Sequence, residues 1–136
     1  MRHIAPTGSY SVSVPEDVIE EEDGRVVNLW MKDQHLLLQV SSFFRSEGAQ
    51  IGAAERIAAL LKRQPLLDMS LDCSLAVDCP DYASAKGVDE HGSAWVYAYA
   101  VWPDLALMIT VSGDEQEFMD ENNWAFAAVR SIRRGK

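Results

Sequence analysis

The amino-acid sequence predicts an α+β domain: a mainly antiparallel twisted sheet of about six to seven strands packed with two main helices, near 49–63 and 114–130. Three observations carry this. Apolar residues alternate with period two over most of the chain. Two stretches carry them at helical spacing instead. The strand-like runs between residues 80 and 111 are joined by turns too short for a parallel return, which needs a long crossover. A length of 136 residues suits one domain over 1–136. Such a chain buries roughly two-thirds of its unfolded surface, so it needs no disulfide or structural metal to fold.

Residues 1–8 read as an irregular lead-in and 135–136 as a tail. Ser9–Pro15 alternates strictly, with Tyr10, Val12 and Val14 on one side, and Pro15 ends the strand. Glu16–Asp23 holds six acids in eight residues and closes on Gly24, which reads as a charged loop with at most one helical turn. Arg25–Met31 and His35–Phe44 are strands. The latter is apolar on both faces, as in a central strand covered from both sides. From about Ala49 to Arg63, Ile51, Ala54, Ile57, Ala58 and Leu61 form a helical stripe that leaves Arg56 off it, and Pro65 stops the helix. Strand alternation returns at Leu71, Cys73, Leu75 and Val77. It continues through Tyr82–Val88 and, after the Asp89–Gly92 hairpin loop, through Ser93–Trp102. The Pro103-Asp104 turn then leads into Leu105–Val111. A second helix over about Asp114–Arg130 has an acidic first turn and a basic last turn, as its dipole favours. Asn122-Asn123 is its weak point.

This layout resembles the Mog1/PsbP-like fold. A short strand ends in proline (YSVSVP, Tyr10–Pro15). Two strands and a helix follow, then an antiparallel meander, then a terminal helix closing on an aliphatic-x-x-Ser-aliphatic-Arg pattern (AVRSIRR, Ala128–Arg134). The resemblance covers about residues 9–134 and implies an α-β-α sandwich. The fold occurs in a nuclear Ran-binding protein, a photosystem extrinsic subunit, and bacterial chaperones or envelope proteins. It therefore implies a role other than catalysis. No site residue is carried over from it.

The formal net charge is −9. A nucleic-acid backbone calls for a Lys/Arg patch, so no nucleic-acid partner is expected; a basic protein is. The longest apolar stretch, Ala94–Trp102, falls far short of the roughly 20 residues that span a bilayer. Residues 1–30 lack an apolar signal region, so a cytoplasmic location is expected. If extended, the chain between Cys73 and Cys79 separates them by about 20 Å, too far to bond. Partly buried thiols are expected there.

Chemistry-bearing residues are sparse. Cys79, His91 and Asp89 could be written as nucleophile, base and orienter, but nothing near Cys79 would lower its pKa. Cys73, Cys79 and His91 lack zinc-ligand spacing. No catalytic residue, metal or cofactor is therefore expected. Two surfaces remain as candidates for binding a partner. One is the acidic segment Glu16, Asp17, Glu20, Glu21, Glu22 and Asp23, set against the alternative of a solvated loop. The other is the aromatic row Trp95, Tyr97 and Tyr99, set against the alternative of core. The favoured function is a non-enzymatic bacterial protein-binding module, an immunity or adaptor-chaperone protein for a basic effector. A small-ligand or lipid-binding domain using the aromatic row, and an enzyme with an unrecognised site, are the alternatives.

Overall fold

The computed structural model describes residues 1–44, 51–70 and 75–135. The expected lead-in is more ordered than its composition suggests. It holds a strand, β1 (Arg2–Ile4), and a 3-10 turn at Pro6–Gly8. β1 pairs antiparallel with β2 (Tyr10–Val14), and β2 takes β10 (Arg133–Arg134) on its other edge. The alternation in β2 drives Tyr10, Val12 and Val14 into the core.

Seven further strands make the main sheet: β3 (Ile19–Asp23), β4 (Val26–Trp30), β5 (Leu36–Phe44), β6 (Leu67–Ser70), β7 (Asp81–Val88), β8 (Ala94–Val101) and β9 (Leu105–Gly113). Their order is β3-β4-β5-β9-β8-β7-β6, antiparallel throughout. The helices are α1 (Ala53–Arg63), α2 (Glu115–Met119) and α3 (Trp124–Arg130). The expected α+β class and antiparallel sheet are thus present.

The two faces of the sheet are covered unequally. On one face, β2, α2 and α3 close a core that includes Leu29, Leu38, Leu107, Ile109, Phe126 and Val129. Phe118 and Phe126 meet edge to face there, with ring centroids 5.4 Å apart. On the other face α1 packs on β7 and β8, setting Ala53, Ile57 and Leu60 against Ala85, Tyr97, Tyr99 and Val101. One helix about 10 Å wide spans two or three strands spaced about 4.8 Å apart. The β3–β5 half of that face is left without a helix among the described residues.

Several sequence expectations are corrected. Residues 19–23 form a strand, because the Asp23–Val26 pair closes a tight turn on Gly24 (φ +63°) that sets β3 beside β4. Of the strand expected from Leu71, residues 71–74, with Cys73, lie outside the described residues. Leu75 and Val77 are buried but not in a strand, and the strand of this region is β6 instead. The second helix breaks in two because the Asn123 side chain caps a new start, accepting from the Phe126 amide at 2.8 Å. Residues 49 and 50 of the first helix also lie outside the described residues. Its buried stripe is Ala53, Ile57 and Leu60, while Ala54 and Ala58 face outward. Arg56 lies toward the sheet, its guanidinium 5.9 Å from the centre of the Tyr99 ring. β5 is central, but among the described residues no helix covers its second side, where Leu37 and Phe43 are exposed.

Candidate functional site

The acidic segment begins where β2 ends. Glu16 pairs with the N-terminal ammonium at 3.2 Å, and Asp17 is exposed beside it. Val18 is buried and pins the turn to the core. β3 then runs along the outer edge of the sheet with all five residues exposed. Register with β4 assigns its faces. Glu20 and Glu22 lie opposite the buried Leu29 and Val27, on the side of β2. Ile19, Glu21 and Asp23 lie opposite Trp30, Asn28 and Val26, on the side of α1. The described cation nearest Glu20 comes from the opposite end of the lead-in: Arg2 Nη2 stands 4.0 Å from its carboxylate and donates to the Val18 carbonyl at 3.0 Å.

The Glu20 carboxyl is raised above the usual carboxylate range by partial burial first, then by the charge of Glu22 and a hydrogen bond with it; Arg2 works against this. The Tyr10 hydroxyl lies on the same face. It is buried without a hydrogen-bond partner, and its pKa is raised far above that of a free phenol by burial and by Glu22 and Glu20.

Beyond β3, on the α1 side, lies an open stretch of sheet that sequence reasoning missed. Ile19, Trp30 and Leu37 form one transverse row. A hydrogen-bonded pair, Gln39 Nε2 to Asn28 Oδ1 at 2.9 Å, separates that row from Val26 and Phe43. Ile19 is 40% exposed and Leu37 and Phe43 are each 37% exposed. The signal was present in the two-sided apolar pattern of β5. A two-sided apolar pattern suits a strand covered on both faces, but one helix is too narrow to cover every strand on its side of this sheet.

The aromatic row divides. Tyr97 and Tyr99 are core beneath α1, and Tyr97 donates its hydroxyl to the Gln64 carbonyl at 3.3 Å. Trp95 is half-buried. Its indole donates to Asp89 at 2.8 Å, and its ring meets Tyr97 edge to face at 5.8 Å. Trp95 and Tyr97 line an open concavity of about 450 Å³ with Arg63, Leu67 and His91. Four strand spacings, about 19 Å, separate β8 from β3, so the two candidate surfaces are distinct. A second concavity of about 380 Å³ lies between β7 and α2, where Lys86 is set among Asp68, Glu115 and Glu121. An apolar groove of about 350 Å³ runs along Ile57, Ala58 and Leu61 of α1.

The possible nucleophilic triad is not assembled. Cys79 precedes β7 and Asp89 and His91 follow it, so about 26 Å of strand lies between them. The Cys79 thiol donates to the Asp81 carbonyl and is raised by burial. The Asp89 carboxylate accepts from the Trp95 indole and from the amides of Ser93 and His91, and these hold it below the usual carboxylate range. Among the described residues no three His, Cys, Asp or Glu side chains converge as metal ligands, and no helix is long and apolar enough to cross a membrane.

No family model matches the chain, and no curated protein does. Among solved structures it is similar to a protein of Bacteroides thetaiotaomicron, with a TM-score of 0.58 and 17% identity over 93% of this chain. At that identity the likeness is one of fold. The match spans 45% of the Bacteroides chain, so this chain corresponds to less than half of it.

Proposed function

We propose that the chain is a non-enzymatic protein-binding module for a basic partner, which docks on the β3 edge and the adjoining open sheet face. One observation carries the reading. An apolar, partly exposed stretch (Ile19, Trp30, Leu37, Phe43) is bordered along β3 by the carboxylates of Glu21 and Asp23 on its own face, with Glu20 and Glu22 on the other face of the same edge. Apolar surface supplies affinity on burial. The bordering charge selects a cationic partner and speeds its arrival. A bacterial immunity or adaptor-chaperone role for a basic effector is the form we favour, on charge, size and the Mog1/PsbP resemblance together, with a cytoplasmic setting.

The test uses an acetylated, amidated peptide alternating lysine with valine, and a second peptide with glutamate in place of lysine. Tryptophan fluorescence, with Trp30→Phe identifying the reporter, is expected to change saturably with the lysine peptide alone. Equal response to both, or response to neither, contradicts the reading.

The concavity beside Trp95 favours a second reading, a small-ligand site at the C-terminal end of α1. Anilinonaphthalene sulfonate, an anionic aromatic probe, should bind there between Arg63 and Trp95 if that reading holds, and Trp95→Ala should abolish the binding.

A further inference from the structure

We infer that the basic partner joins the main sheet as an additional antiparallel strand along the outer edge of β3. This rests on the reading of a basic partner and specifies how that partner is held.

The two edges of the sheet are protected differently. At β6 the register with β7 shifts between Leu67 and Ser70, and Asp68 sits at φ +50°. Such an irregularity spoils an edge as a template. β3 has no such defect. Its five residues pair with β4 in unbroken register. Among the described residues no strand or backbone hydrogen bond occupies its outer side. What guards this edge is charge alone, and charge discriminates. A second copy paired about Glu21 would set Glu20 against Glu22 and Glu21 against Glu21, and like charges directly opposite are destabilising. A strand with Lys or Arg at these positions meets a carboxylate at each one, on both faces, and an apolar residue fits opposite Ile19. The sequence of β3 therefore disfavours itself as a partner and admits a cationic strand.

An independent feature lies on the β2 side. Tyr10 is 1% exposed, and its hydroxyl is buried without a hydrogen-bond partner. It shares a face with Glu20 and Glu22, whose charges act on it. An ammonium or guanidinium drawn between those two carboxylates gives this hydroxyl the partner it lacks. Arg2, 4.0 Å from Glu20, is the resident cation and is not close enough for a direct hydrogen bond.

The experiment uses the full chain and three probes: the lysine–valine peptide, the same peptide N-methylated at alternate residues, and the glutamate peptide. N-methylation removes the donors of one peptide edge and leaves every charge. The unmodified peptide is expected to bind, to bind about tenfold or more tighter than the methylated one, and to slow amide hydrogen exchange within Ile19–Asp23. Tyr10→Phe should keep the fold and weaken binding severalfold. If both lysine peptides bind equally and β3 exchange is unchanged, strand addition is wrong while the basic-partner reading survives. If neither lysine peptide binds at low salt, both fail. If the protein alone sediments as a dimer with β3 amides already protected, the edge belongs to a second copy and the inference is overturned.

Discussion

Single residues carry the sharpest consequences. Gly113 ends β9 at φ +145°, opposite both Leu36 and Ala94, and a Cβ there would run into the His35 carbonyl. Gly113→Ala is therefore expected to destabilise by about 2 kcal/mol or more, read as a lowered denaturant midpoint. Glu20 supplies a pH test. Its carboxyl titrates above its unfolded value, so the stability tied to it is complete below the unfolded pKa and is lost as pH rises through the folded one. On lowering the pH from about 7 to about 4, wild-type protein should gain more thermal stability than Glu20→Gln. Equal gains in wild type and variant would contradict a Glu20 carboxyl raised by burial and by Glu22. Cys79, raised by burial, should react slowly with iodoacetamide in the native protein and rapidly in denaturant, with the labelled peptide identified by mass. In the sequence nothing near Cys79 would lower its pKa, and the structure places β7 between Cys79 and the other two groups, Asp89 and His91. The Tyr10 hydroxyl was not legible, because period two assigns a side chain to a face and not to the groups waiting across it.

At the scale of elements, strands read well where alternation met a proline or a tight turn, as in β2, β8 and β9. They read poorly where solvation disguised them. Glu16–Asp23 looks like a loop because both faces of an edge strand can be polar, and only pairing with β4 makes it extended. Leu75 and Val77 erred the other way, since a loop dipping into the core alternates as a strand does. The break between α2 and α3 was visible as Asn122-Asn123, but that Asn123 caps the second piece needed the structure. Asn123→Ala should lower stability by about 1 kcal/mol, with added loss because its amide also donates to the Asp120 and Glu117 carbonyls. A denaturation midpoint matching wild type would rule out that cap as a determinant of the break.

At the scale of the whole molecule, the described residues form an uneven sandwich, and this leaves part of one sheet face open. Broken helices and a small sheet close one face, whereas one helix cannot close the other. The open part adjoins the most acidic edge, and the net charge of −9 extends the same field over the molecule. This arrangement depended on strand order, which joins β5 to β9 across a long stretch of chain and cannot be read from local pattern. The β3 carboxylates are proposed to recruit a cation-rich partner, and that recruitment shows in association kinetics. Its most direct test is stopped-flow association of the lysine–valine peptide at two ionic strengths, with wild-type protein and with Glu20, Glu21 and Glu22 all changed to Lys. The triple variant should melt within a few degrees of wild type, since exposed charges contribute little. It should associate more slowly at low salt and lose the salt dependence. An unchanged association rate at low salt in the triple variant would contradict the claim.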